Sequence, residues 1–252
     1  MTSYTELYLE ETHIVLDQIN PGVVERLARE LAGVRNRGGR LFILGVGGSA
    51  GHASHAVNDF RKICGFEAYS PGDNVSELTA RVNDEGWDTC FSNWLSCSRL
   101  NKTDGLLIFS VGGGNLERNV SVNLVRSIEL ARRVGAKVFG IVGRDGGFTA
   151  VAADACIVIP PLFDDRITPH TEGLCAILWH LLVTHPALMK TATRWETIQE
   201  WAAPAGDQST CAVSRELVAV GESGNRGALG EQPRQVRVSE ISPVRYHPHI
   251  KS

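Results

Sequence analysis

The stretch "GVGGSAGHASHAVNDF", residues 45 to 60, holds the first side chains that could do chemistry. His55 and Asp59 are four residues apart, so on a helix they share a face and could both reach one divalent cation. Taken alone, the pair reads equally as solvated polar residues on a helix. A second set lies in "TEGLCAILWH", where Glu172 and His180 are eight residues apart, within about a quarter turn of each other in helical projection. A carboxylate and an imidazole among apolar residues are expensive to bury unless they are paired or ligated. Together the four offer oxygen and imidazole donors. That set suits Zn²⁺ with a partly open coordination sphere, or an acid and a base working without a metal.

Two glycine loops adjoin these segments. "FILGVGGS" and "LIFSVGGG" are each an apolar strand, a Gly-Gly turn and the start of a helix. Such a loop brings backbone N–H groups and a helix N-terminus to an anion, with a hydroxyl from Ser49 in the first and Ser110 in the second. "GVGGSA" also satisfies the dinucleotide pattern G-x-G-x-x-A. The second strand and acidic residue that a dinucleotide fold needs are poorly met by "FRKICGFEAYS". The remaining reading is that the glycines only make tight turns.

The elements that must position these groups alternate between strand and helix. Val24, Leu27, Ala28, Leu31 and Val34 mark one face of a helix over 21–37, with Pro21 in its first turn. "RLFILG", "DGLLIFS", "AKVFGIVG" and "DACIVIPP" read as buried strands, and helices are expected over 50–63, in "WDTCFSNWLSCSRL" and in "NVSVNLVRSIELARRVG". Residues 64–86 are expected to be irregular with short elements. The last helix, about 169–184, is apolar on most sides, with Thr168 as its cap, and reads as buried in the middle of an oligomer. Near-continuous apolar strands alternating with helices imply a parallel sheet covered on both faces. After Trp195 the periodicity decays, so the expected organisation is one domain over 1–195 and a disordered tail over 196–252.

Composition narrows the classes. Hydrophobic residues make up 43%, charged residues 21%, and the formal net charge is -3. No basic stripe supports a nucleic-acid partner. Six cysteines occur without C-x-x-C pairs, which reads as reduced thiols in a cytoplasmic protein and not as a disulfide framework. The first residues, acidic and without an apolar core, do not read as a signal peptide, and no apolar run reaches the ~20 residues of a membrane span.

The order of these motifs resembles the sugar isomerase (SIS) domain, in its phosphoheptose isomerase branch, over about residues 5 to 190. The motifs are the "GGS" loop, H-x-x-x-D, "VND" at 82–84, the Ser110 loop, "GRDGG" at 143–147 and "DRITPHTE" leading to His180. The resemblance implies a three-layer, flavodoxin-like α/β sandwich around a parallel sheet, in a homotetramer. It places Gly47, Gly48, Ser49, Asn83, Asp84 and Ser110 at the sugar phosphate, with Glu172 as a further substrate contact. It places His55, Asp59, Glu172 and His180 at one Zn²⁺ per subunit, and Asp59 and His180 at proton transfer. The implied reaction interconverts a ketose phosphate and an aldose phosphate through an enediol, with sedoheptulose 7-phosphate or a related sugar as substrate. The alternative that the resemblance allows is a non-catalytic sugar-phosphate sensor or a partner of a replication initiator. The pattern is departed from in four places: Val46 stands where the family has Asn, Asn58-Asp59 for a pair of glutamates, Glu172 for Gln, and Ser110-Val111-Gly112 for a Ser-Thr-Ser run.

Overall fold

A computed structural model describes residues 2–197. The chain divides into two units, Met1–Gln199 and Glu200–Ser252. The second lies outside the described residues, as does the expected tail apart from its first two positions. A short helix, Arg194–Thr197, crosses the expected boundary at residue 195.

Helices α1 (Tyr4–Asp17) and α2 (Pro21–Asn36) precede strand β1 (Leu41–Leu44) and helix α3 (Gly48–Lys62). Strand β2 (Ala68–Tyr69), helices α4 (Val75–Glu85) and α5 (Cys90–Cys97), and strand β3 (Gly105–Ser110) follow. Helix α6 (Val122–Val134), strand β4 (Lys137–Val142), helix α7 (Gly147–Ala152), strand β5 (Ala155–Val158) and helix α8 (Ile167–Thr184) complete the fold. The five strands form one parallel sheet in the order β2-β1-β3-β4-β5. The order reverses between β1 and β3, so the loops after these two strands diverge and leave a crevice above their carboxyl ends.

The period-two alternation of each strand divides the core. Leu41 and Ile43 of β1, Leu107 and Phe109 of β3, and Phe139 and Ile141 of β4 face the layer containing α2, α3 and α8. Phe42, Leu44, Leu106, Ile108 and Val138 face the layer containing α5 and α6. The expected α/β three-layer architecture is therefore the observed one, and all five positions predicted for the buried face of α2 are buried.

Two local expectations change. Residues 75–85 form a helix and not irregular chain; Asn74 caps it, and Arg81 braces it by pairing with Glu77 and Glu85. Helix α8 begins at Ile167, so Pro169 is its third residue and Thr168 does not cap it. Proline is tolerated there because the first-turn N–H groups have no intrahelical acceptor. Within the single chain one side of α8 is covered and the other open: Leu174, Leu178, Trp179 and Leu182 are buried, Ile177 and Leu181 are 46% and 41% exposed, and His180 is exposed.

Candidate active site

Strand β1 delivers the chain to the crevice, and Gly47, at a left-handed φ of 62°, turns it into α3. Ser49, in the first turn of α3, and Ser110, the last residue of β3, are both buried and line one cleft of about 430 Å³. The Ser110 hydroxyl oxygen accepts the Gly113 N–H at 3.0 Å, which closes the second loop onto its own strand. The cleft is also lined by Val46, Val111, Asn115, Arg118 and Arg144. The two arginines were not among the sequence-derived site residues. Each sits beside a carboxylate in its loop, Arg118 after Glu117 and Arg144 before Asp145, and although "GRDGG" marks the second loop, nothing local says that either arginine faces the cleft.

Further along α3 the expected His55 and Asp59 share a face, and α8 runs alongside to bring His180 to them. Asp59 Oδ2 lies 3.7 Å from His55 Nε2 and 3.9 Å from His180 Nε2. The other carboxylate oxygen, Oδ1, accepts a hydrogen bond of 2.8 Å from the Asn58 amide, which leaves Oδ2 to the imidazoles. His180 Nδ1 is 2.8 Å from the Ala176 carbonyl oxygen. A carbonyl only accepts, so Nδ1 carries the proton and the neutral ring presents an Nε2 lone pair to the cluster. Buried Trp179 underlies the group: its ring centroid is 4.8 Å from that of His55, edge to face, and it stacks on His180.

Donor atoms of His55, Asp59 and His180 all lie within 4.8 Å of one another. A tetrahedral zinc with bonds of about 2.0–2.2 Å spaces its ligand atoms roughly 3.3–3.5 Å apart, so small side-chain rotations would close the trio around the ion. Two imidazole nitrogens and one carboxylate leave a fourth position open, as in zinc sites that act on a substrate. The residues present therefore fit the metal.

Glu172 sits elsewhere. Its carboxylate lies against Gly48, where a Cβ would come within 2.5 Å of Oε1. A larger residue at Gly48 would push this carboxylate aside, and as placed it faces the positive end of α3. The structure thus joins Glu172 to the glycine loop and keeps it out of the three-residue cluster. Asn83 and Asp84 lie exposed on α4, where the Asn83 amide donates to the Asp84 carboxylate at 2.7 Å. They do not line the cleft.

No family model matches the chain. Lincomycin biosynthesis protein LmbN of Streptomyces lincolnensis is 34% identical over 155 residues, 58% of this chain and 54% of that protein, so the match spans about half of that relative's length. A probable phosphoheptose isomerase of Thermoplasma volcanium is 31% identical over 157 residues, 60% of this chain and 76% of that one. The phosphoheptose isomerase of Rhodospirillum rubrum is 32% identical over 174 residues, 67% of this chain and 86% of that one. Among solved structures, phosphoheptose isomerase GmhA from Neisseria gonorrhoeae superposes with a TM-score of 0.62 at 22% identity, covering 71% of this chain and 95% of that one. The phosphoheptose isomerase of Francisella tularensis gives 0.60 at 20%, covering 73% and 97%. At such identities the two structures speak for the fold alone.

Proposed function

Because the chain belongs to the phosphoheptose isomerase family of SIS-domain proteins, we propose that it interconverts a ketose phosphate and an aldose phosphate. The substrate in this reading is sedoheptulose 7-phosphate or a related sugar, and the reaction passes through a cis-enediol. The observation that carries the proposal is the convergence of His55 and His180 on one oxygen of Asp59. The helix that bears His55 and Asp59 opens in the cleft at Ser49. His55 follows Ser49 by six residues, ~9 Å along the axis. A sugar phosphate anchored by its phosphate in the cleft could present its carbonyl end toward the cluster.

Isomerisation needs a base that takes a proton from the carbon beside the carbonyl and returns it to the neighbouring carbon, and a group that stabilises the enediolate oxygen. Zinc held by His55, Asp59 and His180 would supply the second as a Lewis acid. Asp59 Oδ2 is assigned the proton at carbon. His180 Nε2, oriented by the bond from Nδ1 to Ala176, is assigned the proton at oxygen. Neither the Nε2 lone pair nor Asp59 Oδ2 can bind zinc and carry a substrate proton at once, so the metal-binding and proton-transfer roles are alternatives, which pH–rate profiles with and without zinc separate. Glu172 lies against Gly48 one residue before Ser49, the residue of α3 that lines the cleft.

We further propose a cytoplasmic homotetramer. Exposed Ile177 and Leu181 on α8 support association, and free Cys64, Cys90, Cys97, Cys156 and Cys175 suit a reducing compartment. No helix among the described residues is long and apolar enough to cross a membrane. The test is turnover of five- to seven-carbon ketose phosphates in D₂O, read by NMR. Deuterium should enter the product at the carbon next to the carbonyl, purified protein should hold one zinc per chain, and His180→Ala should lose ~10²–10⁴-fold in kcat. Turnover at the wild-type rate in His180→Ala, or none by the wild type on the whole panel, would overturn the reading.

A further inference from the structure

We propose that Arg118 and Arg144 form a two-guanidinium clamp that grips the phosphate of the substrate and makes the cleft selective for phosphorylated sugars. The inference rests on the reading of this cleft as a sugar phosphate site. Three observations carry it.

The first is that the first glycine loop is poorly placed to hold a phosphate by itself. The Glu172 carboxylate already lies against Gly48 at the start of α3, so a phosphate centred there would meet a like charge. The second loop offers little in compensation. Across residues 110–114 its one side-chain hydroxyl is Ser110, whose oxygen accepts from Gly113 and whose single O–H is all the side-chain donation the loop can make.

The second observation is how the chain is built to bring two cations to the same cleft. After the second loop, Asn115 and Val120 exchange backbone hydrogen bonds of 2.9 Å in both directions, closing a tight hairpin. The Asn115 side chain accepts the Arg118 N–H at 2.8 Å, which fixes Arg118 near the tip. Arg144 arrives from β4. Its side chain runs across Gly112, where a methyl group would stand 3.8 Å from Arg144 Cδ. The loop that carries Arg144 is locked to the second glycine loop by bonds from Phe148 N to Gly114 O at 2.9 Å and from Thr149 N to Gly113 O at 3.0 Å. Arg144 and Ser121, both in the cleft lining, have left-handed backbone with φ of 52° and 49°. Non-glycine residues hold that conformation only where the surroundings impose it, and such positions cluster at ligand sites.

The third observation is that both guanidinium groups are uncommitted. Among the described residues neither makes a side-chain hydrogen bond or an ion pair, whereas Arg35, Arg40, Arg81 and Arg166 all do. The one carboxylate in the cleft lining, Asp145, has an oxygen engaged as acceptor for the Gly147 N–H at 3.1 Å. The lining therefore presents two cations against one anion. Guanidinium groups match phosphate oxygens in geometry and stay charged at any working pH.

The experiment measures binding of inorganic phosphate, sedoheptulose 7-phosphate and unphosphorylated sedoheptulose to the full chain by calorimetry, alongside turnover. Wild type is compared with Arg118→Ala, Arg144→Ala and Arg144→Lys. Each alanine variant should weaken binding of both phosphate ligands by about ten- to a hundred-fold, the range for a lost charge-assisted contact. Binding of the free sugar should stay within twofold, Arg144→Lys should recover part of the loss, and melting temperatures should not change. Loss of affinity for the free sugar as well, or phosphate affinities within twofold of wild type in both alanine variants, would overturn the clamp. Arginine-dependent phosphate binding with no turnover of any ketose phosphate would leave the clamp standing and sink the isomerase reading. Wild-type protein that binds neither phosphate ligand would overturn both.

Discussion

Gly113→Ala tests whether the second glycine loop and the loop after β4 are interlocked as the structure shows. Gly113 has φ of 68°, and a Cβ there would overlap the carbonyl oxygen of Gly146. The obstacle is backbone, so no side-chain rotation relieves it. The left-handed conformation alone costs alanine roughly 1–2 kcal/mol. Withdrawing the loop would also strain or break the two bonds that Thr149 donates to the Gly113 carbonyl oxygen, 3.0 Å from its N–H and 2.7 Å from its hydroxyl. Thr149 is fully buried, so these donors would be left without water, at about 1 kcal/mol each. The sum is about 3–4 kcal/mol, a large part of the roughly 5–15 kcal/mol that holds a domain folded. In urea, with m near 2 kcal/mol/M, the midpoint should fall by about 1.5–2 M. The control is the adjacent residue. Gly112 has no positive φ, and its Cβ would meet nothing closer than 3.8 Å, so Gly112→Ala should stay within about 0.5 kcal/mol of wild type. Both variants must be compared at one protein concentration, since association shifts apparent stability. Equal midpoints for the two variants, or a Gly113→Ala loss under 1 kcal/mol, would refute the interlock.

Gly48→Ala places a methyl group 2.5 Å from Glu172 Oε1. The obstacle is the movable end of a side chain, so the variant should lose only about 1 kcal/mol of stability in the Glu172 background and less in Glu172→Ala, and additive effects in that double-mutant cycle would count against the contact. The Arg166 guanidinium beside Glu11 holds its carboxyl down at about 2, with a further hydrogen bond from His170. A depressed folded pKa stabilises above the unfolded value, so this contribution should disappear as pH falls from about 4.5 toward 2. Glu11→Gln should flatten that limb of the stability–pH curve, and an unchanged slope would remove Glu11 from it. Burial pushes the thiols of Cys64, Cys156 and Cys175 up to about 12. A thiol reagent at neutral pH should therefore modify exposed Cys97 well before those three, as peptide mapping would show, and fast labelling of Cys175 would contradict its burial.

What the sequence made legible follows the range of the interactions involved. The buried strands could be read because β1, β3 and β4 are covered on both faces and so are apolar at nearly every position. His55 and Asp59 could be read because helical spacing alone puts them on one face. Helix α4 escaped because its apolar stripe, Val75, Leu78 and Val82, is short and sparse. None of its residues is buried, Leu78 and Val82 pack only partly against the core, and the Arg81 pairs carry what the pattern lacks. The two arginines of the cleft escaped for a different reason. Arg118 depends on a hairpin closed by backbone bonds, and Arg144 on a second loop clasped to the first. Glu172 shows where periodicity stops. Eight residues of helix bring it to the same side as His180 but ~12 Å away along the axis, and the neighbouring helix decides what each one meets. Because α3 and α8 run in the same direction, the start of one lies beside the start of the other. The glutamate therefore meets Gly48, and the histidine, two turns on, meets Asp59. The direction of a helix pair is a property of the sheet that both pack on. A parallel sheet with α3 and α8 on one face lets a single pair of helices place a carboxylate at the cleft and a potential metal site two turns below it.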